Sequence, residues 1–101
     1  MSKINQTDKI ISIISAVSRV TGVSTQDIVS RSRKAHIANA RQISMWISRW
    51  NTEMPLQKIA YLHGCTNHAN VIHAHNQVES YRKFDKNFRD LTDRILNIIN
   101  S

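Results

Sequence analysis

The sequence predicts an all-α protein: a compact bundle of about six helices containing a helix-turn-helix. Three observations carry this. Apolar residues recur three and four positions apart along most of the chain. Two glycines and one proline leave little material for hairpins or long loops. Residues 55–80 read as a short helix, a turn at Gly64 and a second helix of unusual composition.

Residues 1–6 are polar and expected to be flexible, with the folded domain spanning 7–101. Thr7 suits the N-cap of the first helix, and Asp8 favours its first turn. That helix runs to about Val20, with Ile10, Ile14 and Val17 on one stripe, Ile11 and Ile13 beside it, and Gly22 ending it. Ser24-Thr-Gln-Asp27 resembles a capping box and starts a short helix over about 25–30. Arg31-Ser-Arg-Lys34 is a basic connector.

A long helix follows from about His36 to Trp50, on which Ile37, Ala40, Ile43 (or Ser44) and Ile47 keep helical spacing. Trp46 and Trp50 extend its apolar face. Asn51–Pro55 forms a loop, and Pro55 suits the first turn of the short helix ending at Leu62. After Gly64, Val71, Ala74 (or His75) and Val78 form the buried stripe of the next helix. Its other face carries Ala69, His73, Asn76 and Gln77. Solvated helix faces normally carry Lys and Glu, whereas uncharged donors and acceptors suit base edges in a major groove. Tyr81–Phe84 connects to a last helix, Asp85 to about Ile99, with Phe88, Leu91, Ile95 and Ile98 (or Ile99) buried.

The formal charge of +7 points to a polyanionic partner. From Ile28 to Val78 six bases stand against one acid, Glu53, whereas the segment from Glu79 onward is nearly balanced. Cys65 is the only cysteine, so no intramolecular disulfide forms, which fits a reducing compartment. Ser12, Ser15 and Ser18 interrupt any apolar signal core, and no run approaches a membrane span. The expected location is the cytoplasm, associated with the nucleoid.

No catalytic set, cofactor motif or Gly-rich phosphate loop is present, so no enzymatic activity and no cofactor are expected. His63, Cys65, His68, His73 and His75 invite a zinc reading. They lack paired-knuckle spacing, and His68 and His73 are poorly placed to share a metal, so no metal site is expected. His75 reads as a satisfied, partly buried histidine.

Three stretches resemble one family. Asp27-Ile-Val-Ser-Arg-Ser-Arg-Lys34 resembles its short helix and basic loop. Ala40-Arg-Gln-Ile-Ser-Met45 resembles its Pro-Arg-Gln-Ile-Ala-Met helix start. Asn67-His-Ala-Asn-Val-Ile-His-Ala74 resembles its Asp-His-Thr-Thr-Val-x-His-Ala signature. The chain thus resembles, over about residues 8–99, the C-terminal DNA-binding domain (domain IV) of the bacterial replication initiator DnaA, here as a stand-alone protein. The resemblance implies that Arg33 enters the minor groove and that Arg41, Gln42 and Arg49 contact the backbone. It also sets His68 and His73 near the major groove. Gly64-Cys65-Thr66-Asn67 replaces the family's Gly-Gly-Arg-Asp, Ala69 and Asn70 replace its two threonines, and Gln77 stands where Lys is frequent. These departures imply a different target sequence.

The expected DNA-binding set is therefore Arg31, Arg33, Lys34, Arg41, Gln42, Arg49, Gln57, Asn67, His68, Ala69, Asn70, His73 and Gln77, with double-stranded DNA as partner. A homodimer or protein partner stays open, and no membrane contact is expected. The function expected is sequence-specific duplex binding that regulates transcription or replication by occupancy. Two rivals remain: a protein-interaction module that kept the fold, and a single-strand or RNA binder stacking bases on Trp46 and Trp50.

Overall fold

Each helix begins where the chain supplies an oxygen for its first free N–H groups or a backbone already set for a helix start. The computed structural model describes residues 5–101 and places six helices there, with no strand among the described residues. The first, α1, spans Gln6–Thr21. Asn5 caps it, accepting from the Thr7 N–H at 2.8 Å, so the helix opens just before the expected cap Thr7. Residues 1–4, most of the expected flexible stretch, lie outside the described residues. Gly22 closes α1 at φ 78°, its N–H donating to Ser18 O. Ile10, Ile13, Ile14 and Val17 are buried. Ile11 is not: one position beyond Ile10 turns it about 100° away from the stripe, and it is 55% exposed.

Ser24 caps α2 (Thr25–Ile28), accepting from the Asp27 N–H. This helix is one turn long and stops short of Ser30, whose hydroxyl bonds back to the Asp27 carbonyl instead.

The third helix, α3 (Ala35–Asn51), is the axis of the bundle, touched by α1, by α2 and by the two helices that follow it. Ile37, Ala40, Ile43, Met45, Trp46 and Ile47 are all buried along it. Truncating a central side chain such as Ile47 to Ala would cost about 2–5 kcal/mol. Trp50 does not extend this apolar face: it lies in the last turn and is 64% exposed.

α4 (Leu56–Leu62) starts after Pro55, and α5 spans Ala69–Phe84 with Val71, Ala74 and Val78 buried. Tyr81–Phe84, expected as a connector, is the last turn of α5. Asp85 alone separates it from α6 (Lys86–Asn100). The Asp85 N–H donates to Tyr81 O at 2.8 Å, and its carboxylate accepts from the Phe88 N–H at 3.1 Å. One residue thus ends one helix and caps the next. On α6, Thr92 and Ile95 are buried and Phe88, Leu91 and Ile99 partly so, while Ile98 faces outward.

A polar seam joins three helices. The Trp46 indole N–H donates to Glu79 Oε2 at 2.9 Å, the Arg82 guanidinium lies 5.1 Å from the Trp46 ring, and Arg82 pairs with Asp93 at 2.8 Å. No helix among the described residues is long and apolar enough to cross a membrane.

Candidate nucleic-acid interface

The basic connector is built by alternation. Ser30 and Ser32 turn inward, while Arg31, Arg33 and Lys34 stand exposed. Ser30 Oγ donates to Asp27 O and accepts from the Ser32 N–H, and Ser32 Oγ accepts from the Lys34 N–H. Each serine thus replaces a missing helical partner for the backbone. The result is a folded loop that projects three cations.

Arg41 is largely buried rather than standing at the surface. The resemblance sets it at the DNA backbone together with Gln42 and Arg49. Arg41 is only 9% exposed. Its Nε donates to Ile28 O at 2.8 Å, and Nη2 reaches Asp27 O and Ser30 Oγ at 3.4 and 3.5 Å. The guanidinium therefore answers the Ile28 carbonyl where α2 ends and braces the loop from beneath. Eight positions amount to about 80° of helical rotation, so Arg49 emerges on a different, exposed side. Gln42 is half-buried.

The turn between α4 and α5 is fastened from three directions. His63 is fully buried, its Nδ1 within 2.8 Å of Ile59 O and its Nε2 within 2.7 Å of Ser44 Oγ. The carbonyl requires the Nδ1–H tautomer, which leaves Nε2 to accept from the serine hydroxyl. Burial lowers its pKa from 6.5 to about 4, helped by the positive charge of Arg41 and opposed by the Ile59 hydrogen bond. The satisfied buried histidine is therefore His63, whereas His75 keeps a buried Nδ1 without a partner and lies against the Trp50 ring at 5.7 Å.

Gly64 follows at φ 79°, and a methyl group there would stand 2.0 Å from Val29 O. The turn consequently presses on the backbone that leads into the basic loop. Cys65 is half-buried, and burial pushes its thiol pKa up, against the influence of Arg41. Gln57 places its amide across the turn, Nε2 donating to Thr66 O at 3.0 Å and Oε1 accepting from the His68 N–H at 3.2 Å. Asn67 Oδ1 accepts from the Ala69 N–H at 2.8 Å.

Beyond this turn the exposed face of α5 carries Ala69, Asn70 and His73, with His68 just before it. Gln77 is half-buried, and the exposed amide on this part of the helix is Asn76. Asn76 stood on the uncharged face in the sequence yet outside the expected set. Ile72, 41% exposed, is the other omission, and the 3.6-residue period alone places it outside the Val71–Ala74–Val78 stripe.

Arg31 and Arg33 line one cleft with Arg41, Thr66 and Asn70, so the loop and the start of α5 form a continuous surface. The Trp50–His75 contact brings the end of α3, with Arg49, beside the middle of α5. Trp46 is buried and its indole N–H is engaged, which removes it from any stacking role. No group of three metal-ligating side chains converges among the described residues, and both His63 nitrogens are committed to the protein.

A basic loop set beside the second helix of a helix-turn-helix defines a class of domain. The chain's own relatives place it within that class. Residues 10–78 match the family described as the bacterial dnaA protein helix-turn-helix, and the chain belongs to that family. It is 37% identical over 81 residues to the chromosomal replication initiator protein DnaA of Thermodesulfovibrio yellowstonii, a match covering 80% of this chain and 18% of that protein. The protein of the same name from Porphyromonas gingivalis is 37% identical over 84 residues, 83% of this chain and 18% of the relative. That of Lachnoclostridium phytofermentans is 36% identical over 88 residues, 87% and 19%. The chain spans less than a fifth of the length of these relatives.

Proposed function

We propose that this protein binds double-stranded DNA sequence-specifically. In this reading Arg31, Arg33 and Lys34 lie along the backbone and probe a minor groove, while His68, Ala69, Asn70 and His73 face bases in the adjacent major groove. The observation that carries it is the shared cleft of Arg31, Arg33, Thr66 and Asn70, which sets a cationic arm directly beside an uncharged helix face. Phosphate attraction and base discrimination need those two surfaces side by side. Asn70 suits adenine, and Ala69 and Ile72 suit a thymine methyl.

Family membership and the relatives' role as replication initiators support a role on DNA. The chain would act by occupying its site, as a regulator of transcription or replication. Selection from random duplex DNA tests this. An enriched motif is expected. No retention of any duplex would replace this reading with that of a protein-interaction module, and retention of single strands alone with that of a single-strand binder.

A further inference from the structure

We infer that Gln57 is a positioning residue that sets how α5 is presented, and so governs sequence discrimination without touching DNA. This rests on the reading of α5 as the base-reading helix. The sequence placed Gln57 among the DNA contacts, but each polar atom of its amide makes a bond within the turn. Nε2 donates to Thr66 O and Oε1 accepts from the His68 N–H, so one side chain on α4 spans the two residues flanking Asn67.

The start of α5 depends on this. His68 occupies the cap position with φ −59° and ψ −24° and makes no side-chain cap bond. Its own N–H would otherwise face solvent. With Gln57 in place, the His68, Ala69, Asn70 and Val71 N–H groups bond in turn to Gln57, the Asn67 side chain, Asn67 O and His68 O. Every N–H at this helix end is taken, so the end offers no seat for a phosphate. What remains for DNA is side chains, and their height and rotation are set by a turn held from α4. Base-edge hydrogen bonds lose strength steeply with small errors of distance and angle, whereas attraction to phosphates does not. Loosening the turn therefore impairs discrimination more than general binding.

The test uses the whole chain and compares wild type, Gln57→Ala and Gln57→Glu on a selected duplex and a scrambled one. Gln57→Ala should lower the ratio of the two affinities about tenfold, comparable to losing one good base contact, with an unchanged salt slope. Amide exchange at His68 should quicken. Gln57→Glu keeps the acceptor for the His68 N–H and loses the donor to Thr66 O. It should retain His68 protection and an intermediate ratio, and it carries the test if Gln57→Ala fails to fold. Folded variants with faster His68 exchange and undiminished discrimination would overturn the inference. So would equal loss on both duplexes with a shallower salt slope, which marks a direct phosphate contact. If the wild-type chain selects no motif, or Asn70→Ala and His73→Ala leave discrimination intact while Gln57→Ala does not, the reading of α5 fails first.

Discussion

The Ser44 hydroxyl and the His63 imidazole meet at 2.7 Å inside the core, although 19 residues separate them. The contact joins the middle of α3 to the C-terminus of α4, and burial there keeps the imidazole neutral, so that Nε2 accepts from the hydroxyl. Folded His63 protonates near pH 4, whereas the unfolded side chain does so near 6.5. Between these values the unfolded chain holds more protons, so acid favours unfolding. The contribution is complete above pH 6.5 and is lost as pH falls toward 4, by about 3 kcal/mol. Denaturant unfolding across this range should show a steep acid limb for wild type and a shallower one for His63→Phe. Parallel limbs would refute the assignment.

The two glycines should respond differently to alanine. Both have positive φ, but Gly22 faces open space while a methyl at Gly64 would meet Val29 O. Gly22→Ala should cost about 1 kcal/mol of left-handed strain. Gly64→Ala adds a backbone clash and should cost several times more. Thermal melts of the two variants decide this, and equal losses would contradict the close approach.

Arg41→Ala should behave as a loss of scaffolding. Removing the Nε bond to Ile28 O should lower stability by roughly 1–3 kcal/mol and loosen residues 30–34. Faster amide exchange in the loop is expected without added DNA, together with weaker duplex binding. A loop as protected as wild type, with binding alone impaired, would return Arg41 to the role of a direct contact.

Salt should weaken duplex binding with a log–log slope of roughly −3 to −4, as four exposed bases imply: Arg31, Arg33, Lys34 and Arg49. Affinity measured from dilute to physiological salt tests this. A flat response would exclude backbone neutralisation as the main attraction.

Arg33→Ala should weaken binding to most sequences alike. Asn70→Ala and His73→Ala should each cost on the order of 1–3 kcal/mol at a selected site and little at a scrambled one. Phosphates are uniform along DNA and base edges are not. Equal effects on both duplexes would remove residues 67–77 from the reading role.

The sequence exposed what is periodic or local. The Val71–Ala74–Val78 stripe, the Ser24 cap and the Gly22 stop all depend on neighbours within a turn or two. It concealed what depends on distant partners. Arg41 looked like a surface base because Ile28 lies 13 positions away, and nothing local shows that a carbonyl waits there. His63 looked like one histidine among five until α3 brought Ser44 to it. Gln57 looked like a free amide because its partners lie across the turn. The polar residues beside the proposed interface were legible as a group, but which of them face outward and which support the others was set by the fold.

Gly64 abuts Val29 where the chain enters the basic loop, and Arg41 anchors that loop to α3. The arm and α5 are thereby packed into one piece. Under the proposed function such a piece would act on DNA as a ruler. Adding one base pair between the segment under the arm and the segment under α5 shifts them by about 3.4 Å and about 35°. A tethered arm would follow that shift; this one is held back by the core, so under the proposed function the spacing of its target would become part of the code.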